Sequence, residues 1–389
     1  MAPSAYTGAR SRGDLLLTGS TGFLGMELLA RLLEETDRRV WAPVRAADDR
    51  EAAARLRATL ATLVPDPDAY AERVVAFAAD LTRPRLGIDA RRRDEIAEHV
   101  GEIVHAGASV SFTLPLGEAL RINVFGTLRM LQLAELCQAG NGLTRFAHVS
   151  TAYVAGDHRG PFSEADHDVG QRFNNTYERS KWEAERLVHG YAERLPVQIF
   201  RPSIVVGDEQ SGWTASFNVI YKPLCAYARG ALPLIPAQRS APVDVVPVSY
   251  VARSILALAD AGTGRTFQLV AGPEASSVGE LIDRTVSHFG GPPVRTLPPA
   301  LYRRLVHPLL VHRASPAERC WLERGQVFFP YFSTRVRFES GATRAALAPA
   351  DVRPPALGDY FERLLDFAVE SRWGGTRVSR AEALAAVAG

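Results

Sequence analysis

Residues 14–25 read Asp14-Leu15-Leu16-Leu17-Thr18-Gly19-Ser20-Thr21-Gly22-Phe23-Leu24-Gly25. The apolar run ending at Thr18 predicts a buried strand, and an amphipathic pattern from Gly25 to Glu35 predicts a helix. A glycine turn between the two lets backbone approach a ligand closely, while the helix start offers free N–H groups and the positive end of its dipole. That combination is what a pyrophosphate needs. The spacing is GxxGxxG, and with 31 glycines in 389 residues the glycines alone carry little information. The strand before them and the helix after them make the turn a dinucleotide-binding candidate over Gly19, Ser20, Thr21, Gly22, Phe23, Leu24 and Gly25.

Outward from this turn, strand-like and helix-like stretches alternate. Strands are expected at 39–45, 73–81, 102–109, 144–151 and 197–207, and helices at 46–63, 117–138 and 176–194. Alternation of this kind predicts an α/β fold, a Rossmann-type doubly wound parallel sheet. Beyond 207 the texture changes to aromatic residues, Pro and Gly; strands return at 243–248 and 266–270, and helical patterns broken by prolines follow from 272. The expected organisation is a disordered lead-in at 1–12, an NADP-binding Rossmann domain at 13–207 and 244–270, and a smaller, mostly helical substrate lobe at 208–243 and 271–389.

Composition removes whole classes of function. A chain of this length buries roughly three quarters of its unfolded surface and needs no staple to fold. Net charge is +2, from 45 basic and 43 acidic residues, too balanced for a protein whose affinity rests on nucleic-acid phosphates. The three cysteines, Cys137, Cys225 and Cys320, are far apart and form no metal-ligand spacing, which suits a reducing compartment. No apolar run approaches the ~20 residues of a transmembrane helix, and residues 1–12 lack the apolar middle of a signal peptide. A cytoplasmic location is expected.

Which dinucleotide binds depends on the end of the second strand. A carboxylate there would bind a ribose 2′-hydroxyl, whereas an arginine suits a 2′-phosphate. The position holds Arg45, with Asp48 and Asp49 beyond the strand, so NADPH is the expected cofactor.

Tyr177-Glu178-Arg179-Ser180-Lys181 sets a phenol and an ammonium four residues apart on one helix face. A free tyrosine has a pKa of ~10, and a neighbouring ammonium is expected to lower it toward neutrality. Lys181 and Lys222 are the only lysines among the 45 basic residues, so a lysine at this address is informative. An ammonium is a compact point charge that tunes a neighbour in a way a planar guanidinium does not. A third catalytic group is expected at the end of a central strand, where Ser150 and Thr151 both offer a hydroxyl.

These residues together resemble the extended short-chain dehydrogenase/reductase family. Within it the chain looks most like the thioester-reductase and fatty-acyl-CoA-reductase (male-sterility) branch. TGSTGFLG, VRAADDREAAARL, ADLTRPRLG, NVFGT, HVSTAYVAG, YERSK, FRPSIVVGD and VDVVPVSYVA match that branch in order, over about residues 14–260. The resemblance implies Thr151 as the catalytic hydroxyl beside Tyr177 and Lys181. It also implies Arg45 and Arg55 on the 2′-phosphate, Asp80 and Leu81 beside the adenine, Ala106, Gly107 and Ala108 along the cofactor cleft, and Pro202 and Ser203 near the nicotinamide. Gly107 stands where the family usually has Ala.

The activity so implied is NADPH-dependent reduction of an acyl thioester, on coenzyme A or a carrier protein, to an aldehyde or onward to the alcohol. No adenylation or carrier segment reads in the sequence, so the thioester is expected to arrive in trans. An extended reductase or epimerase acting on a sugar nucleotide, sterol or flavonoid-like ketone is the alternative, with a non-catalytic NADP-sensing protein more remote. Asn123 reads either as the holder of a water or as a solvated helix residue. Lys222 reads as a contact for a carrier-arm phosphate or as solvated. The basic amphipathic stretch 301–313 reads as a dock for an acidic carrier or as a core-facing helix, and the aromatic stretch 213–227 as an acyl tunnel or as plain core. His105, His148 and His158 read as structural or solvated.

Overall fold

The computed structural model describes residues 13–217, 219–230, 234–313 and 326–388. The expected lead-in at 1–12 and Cys320 lie outside the described residues. In chain order the first strands are β1 (Asp14–Thr18), β2 (Val40–Val44), β3 (Val74–Ala78), β4 (Val100–His105), β5 (Arg145–Val149), β6 (Arg159–Phe162), β7 (Val197–Pro202) and β8 (Ile204–Val206). There follow β9 (Leu234–Pro236), β10 (Pro242–Val243), β11 (Val245–Pro247), β12 (Arg265–Leu269), β13 (Ser276–Ser277), β14 (Arg295–Leu297) and β15 (Arg335–Phe338). The helices used below are α1 (Phe23–Glu35), α2 (Asp49–Leu63), α3 (Ala90–His99), α4 (Leu116–Ala139), α5 (Thr176–His189), α6 (Tyr221–Ala228), α7 (Val248–Ala257) and α8 (Val278–Phe289).

Seven strands form one parallel sheet in the order β12-β7-β5-β4-β1-β2-β3. Both faces are covered, which is why its strands read as near-continuous apolar runs. Leu15 and Leu17 of β1 pack with α1, α2 and α7 on one face, and Leu16 packs with α3 and α4 on the other. Each such leucine, wholly removed from water, contributes about 1.5–3 kcal/mol. The strand order reverses between β1 and β4, and ligands of open α/β sheets bind at the carboxyl ends around such a point.

Four further pairs lie outside this sheet: β8–β11, β9–β14, β10–β13 and β6–β15. The run 197–207, expected as one strand, divides at Ser203. β7 stays in the main sheet, whereas β8 leaves it to pair with β11. At the division Ser203 N still donates to Leu269 O at 3.2 Å while Ile204 N turns to Asp244 O at 3.3 Å, and the buried Asp244 carboxylate accepts from the Ala271 and Gly272 N–H groups at 2.8 Å each. Helix starts follow their caps: Asp48 accepts from Glu51 N at 2.8 Å, so α2 begins at Asp49 and not at 46. Likewise Asn175 accepts from Glu178 N at 3.0 Å and starts α5, which ends at His189, short of the expected 194.

A buried ion pair joins α5 to β7. Arg201 reaches Glu185 Oε1 with Nε at 2.9 Å and Nη2 at 2.5 Å, and both side chains are fully buried. Burial alone would raise the Glu185 carboxyl, but the Arg201 charge and the hydrogen bonds of His189, Arg201 and Ser150 together outweigh it and hold the group down to about 2. Replacing Glu185 with Ala strands a buried guanidinium, and urea unfolding at pH 7 is expected to lose about 3–5 kcal/mol. The carboxylate's contribution is present above its unfolded pKa and is lost as pH falls toward about 2. The gap between native protein and variant should therefore narrow on acidification; a gap that stayed constant would exclude this pair as its source.

Candidate active site

The glycine turn is shaped by contacts that only glycine tolerates. Gly19 has φ +75°, and a Cβ there would lie 2.9 Å from Ala106 C and Gly107 N. A Cβ on Gly25 would lie 1.9 Å from Gly19 O, so the first turn of α1 sits directly on the loop. Gly22 is the N-cap of α1 and brings no side-chain acceptor, which leaves the first N–H groups of the helix open. Thr21 and Gly22 are exposed, and the buried Ser20 Oγ has no hydrogen-bond partner. An uncapped helix start beside an unpartnered hydroxyl fits a dinucleotide diphosphate.

The residues expected around the rest of that cofactor lie along the same sheet edge. Arg45 is exposed just past β2, and Arg55 of α2 donates to the Arg45 carbonyl. Asp80 accepts from Thr82 N at 2.8 Å and Thr82 Oγ1 at 2.7 Å. Burial opposes ionisation of Asp80, but the Thr82 bonds, with Arg83 and Arg45 nearby, hold its carboxyl below the usual range. Leu81 backs onto Gly126 of α4, and its carbonyl accepts from Arg129 at 3.0 Å. Ala106, Gly107 and Ala108 follow β4 beside Gly19. Glycine at 107 has a steric reason: a Cβ would stand 3.0 Å from Thr18 Oγ1.

Thr151 lies just beyond β5, where its Oγ1 accepts from Tyr153 N at 3.2 Å and donates to Pro202 O at 3.4 Å. Of the two candidate hydroxyls, it is Thr151 that stands near enough to act on the Tyr177 phenol, while Ser150 is buried toward Glu185. Ser203 follows Pro202 and is buried beside Asp244. Thr151, Tyr177, Lys181 and Pro202 are thus joined at the carboxyl ends of β5 and β7.

The expected tuning of the phenol is reversed. Burial pushes Tyr177 up to about 12, the Thr151 bond opposing, and Phe112 stacks on its ring at 5.4 Å. Lys181 Nζ donates to Val149 O at 2.7 Å, and burial lowers the ammonium to about 8 against the pull of Glu185.

One hydrogen-bonded chain connects the glycine turn to this helix. Gly107 N donates to Thr18 Oγ1 at 3.0 Å, and Thr18 Oγ1 bonds His105 Nδ1 at 2.7 Å. His105 Nε2 meets Thr127 Oγ1 at 3.1 Å, which donates to Asn123 O at 2.7 Å. Asn123 then donates to Ser180 Oγ at 2.8 Å, and Ser180 to Tyr177 O at 2.9 Å. Burial drives His105 down to about 3, so it is neutral, and these partners assign the proton to Nε2. Asn123 is neither solvated nor at the surface; it also exchanges bonds with the Ser109 backbone at 2.8 and 3.0 Å.

Sequence reasoning missed the aromatic wall over Tyr177. Tyr331 OH donates to Glu178 Oε1 at 2.5 Å and accepts from Asn175 Nδ2 at 2.7 Å. Its ring lies 5.4 Å from Phe112 and 5.0 Å from Tyr153. Lys222 sits over Phe328 at 5.5 Å, and Phe328 lies against Phe112. Beside Tyr331 is an apolar cavity of about 70 Å³ whose lining includes Leu224, Tyr227, Ile235, Leu281, Phe328 and Phe332. Trp213 is not part of it, packing on Phe23 at 6.2 Å instead. Only the aromatic run at 328–332 and Glu178 beside Tyr177 hinted at this wall in the sequence.

Comparison with known proteins fits this geometry. The family model described as male sterility protein, an NAD-binding domain, matches residues 17–255. The chain belongs to the male sterility protein family. That family makes it an oxidoreductase with a nicotinamide-dinucleotide domain. A linear gramicidin synthase of Brevibacillus parabrevis is 32% identical over 293 residues, 72% of this chain and 6% of that protein. Fatty acyl-CoA reductase 1 of Mus musculus is 30% identical over 295 residues, 66% of this chain and 55% of that one. The chain thus spans only part of the curated relatives it matches. Among solved structures, the terminal R domain from the myxalamid PKS-NRPS biosynthetic pathway superposes with a TM-score of 0.79 at 28% identity, covering 94% of this chain and 92% of that one. Among the described residues no helix is long and apolar enough to cross a membrane.

The two shifted groups separate in pH. Dinucleotide affinity is expected to weaken as pH rises through about 8, where Lys181 loses its proton, and the same limb should persist in Tyr177→Phe. Fluorescence titration of the reduced dinucleotide across pH 6–10 checks this, and a limb that vanished with the phenol would assign the titration to Tyr177.

Proposed function

We propose that this chain is an NADPH-dependent reductase of acyl thioesters, carried on coenzyme A or a carrier protein, giving the aldehyde and, by a second reduction, the alcohol. The observation that carries this reading is the placing of the Thr151 hydroxyl near the buried Tyr177 phenol at the carboxyl ends of β5 and β7, with the Phe112–Tyr331 aromatic stack and an apolar cavity beside them. In this reading 13–207 and 244–270 hold the cofactor, while 208–243 and the described chain beyond 271 hold the substrate. Arg45 and Arg55, with no carboxylate at the end of β2, support NADPH over NADH. The reduced cysteines Cys137 and Cys225 suit the cytoplasm.

A reduced dinucleotide bound along Gly19–Gly25 and Lys181 would supply hydride for the thioester carbonyl carbon. Tyr177 donates a hydrogen bond to the oxygen on which negative charge develops, and Thr151 joins it by turning its one hydroxyl proton from Pro202 O to that oxygen. With burial holding Tyr177 up to about 12, the phenol is protonated at neutral pH, the form a reduction requires, and it gives its proton to that oxygen. Lys181, fixed by Val149 O, binds a ribose hydroxyl. The resulting hemithioacetal expels the thiol and leaves the aldehyde.

Purified protein should oxidise NADPH with acyl-CoAs of some chain length and release free thiol, with aldehyde and alcohol assayed in parallel. Tyr177→Phe is expected to lower turnover by a factor on the order of 10²–10⁴ with NADPH affinity retained, and unchanged turnover would refute the assignment. Independently, Arg45→Ala should weaken NADPH binding by roughly 10–100-fold, the equivalent of one charged hydrogen-bonding partner, and leave NADH binding unaltered. Equal losses for the two dinucleotides would remove the argument for NADPH.

A further inference from the structure

A second polar cleft, of about 310 Å³, opens on the other side of the segment 326–332. Its lining includes His158, Arg159, Asn174, Arg303, Pro330 and Arg335. β6 and β15 pair in parallel with Arg159 directly opposite Arg335, so the two guanidinium side chains leave the same face of the ribbon. Like charges facing each other across a strand pair are destabilising. Among the described residues Arg159, Arg303 and Arg335 make no salt bridge. The carboxylate on this cleft, Asp157, is already held by Arg172 at 2.9–3.0 Å and acts on Arg159 only through space. Three convergent guanidiniums, two of them forced together by strand register, are an unbalanced positive site.

We propose that this cleft seats the phosphate of a phosphopantetheine arm, the part shared by coenzyme A and carrier-protein thioesters. The proposal rests on the thioester reading above. Guanidinium pairs recognise phosphate oxygens through two parallel N–H bonds each, and an anion between Arg159 and Arg335 turns their repulsion into attraction for it. The location suits an arm that ends at the hydroxyl pair. Asn174 lines the cleft and donates to Glu178, the neighbour of Tyr177, through its backbone N at 2.7 Å. Pro330 faces the cleft, while Tyr331, the next residue, stacks over Phe112 and, with Phe328 and Phe332, lines the apolar cavity. The segment 326–332 therefore has a phosphate side and an acyl side, with Tyr177 beneath it. The dinucleotide phosphates have their own cradle at Gly19–Gly25, which shares no residue with this cleft.

The test compares one acyl group on three carriers: N-acetylcysteamine, which has no phosphate, coenzyme A, and a phosphopantetheinylated carrier protein. Arg159→Gln, Arg335→Gln and the double variant are expected to raise KM for the phosphate-bearing thioesters by at least about tenfold. The N-acetylcysteamine kinetics, kcat and NADPH affinity should stay unchanged, and thermal stability should not fall, since a repulsion has been removed. A KM increase with both phosphate-bearing thioesters assigns the shared phosphate; an increase confined to one assigns that source. Unchanged KM for both, or an equal loss with N-acetylcysteamine, would overturn the proposal. If the wild-type protein reduces none of the three, the thioester reading itself fails, and calorimetry with 4′-phosphopantetheine against pantetheine decides the cleft alone. Preference for the phosphorylated form, lost in the double variant, supports it, and equal binding of the two refutes it.

Discussion

The bond between Thr18 and His105 stands where the order of the sheet reverses, and the site is assembled outward from it. Thr18 ends the strand that feeds the glycine turn, and His105 ends the neighbouring strand, so one 2.7 Å contact fixes the spacing of the two lips of the cofactor cleft. Along the path from Gly107 to Tyr177 the Thr18, Thr127 and Ser180 hydroxyls each accept one hydrogen bond and donate another, which fixes the direction of all three. A fully satisfied buried network of this kind rigidifies what it crosses. It crosses β1, β4, α4 and α5, so the register between the cofactor turn and the catalytic helix is set by hydrogen bonds and not by apolar packing alone.

Burial decides the protonation of nearly every group around that path. It keeps His105 neutral, Tyr177 protonated and the Lys181 ammonium close to its titration. His148, buried between His105 and Lys181, is likewise driven well below the usual histidine range. Among the described residues α5 buries three ionisable groups: Lys181, Glu185 paired with Arg201, and Glu178, whose carboxyl burial raises and Tyr331 and Asn174 hydrogen-bond. Charge that develops on a substrate oxygen there meets fixed donors and little mobile water, the condition under which such donors act most strongly.

What the sequence made legible was local. The strand–turn–helix at 14–35 and the Tyr177/Lys181 spacing each lie within a few residues of chain, and each is found in the fold. What it concealed needs partners far apart. Tyr331 meets Glu178 across 153 positions, and the arginine pair requires the register of β6 against β15. The helix Ala90–His99 went unread because only Ile96 is buried in it, so no apolar period stands out from its charges. The division of 197–207 was hidden for a different reason: both halves are apolar strands, and what separates them is the change of partner from β12 to β11, which lies outside the run. Helix spacing also gave the neighbours of Tyr177 correctly but not the direction of the Lys181 head group, which a strand carbonyl captures.

The crossing near Ser203 has a mechanical side. Three chain segments pass there side by side and are tied laterally: Ser203 N to Leu269 O at 3.2 Å, Ile204 N to Asp244 O at 3.3 Å, and the Asp244 carboxylate to Ala271 and Gly272. The chain beyond 271 is anchored a second time far from this crossing, where Leu347, Phe367 and Ala383 enter the core beside α1 and α2 and Arg380 pairs with Glu27 and Glu34. Tyr331, bonded to Glu178 and Asn175, adds a third tie over the site, so the substrate side is moored to the cofactor sheet at three separated points.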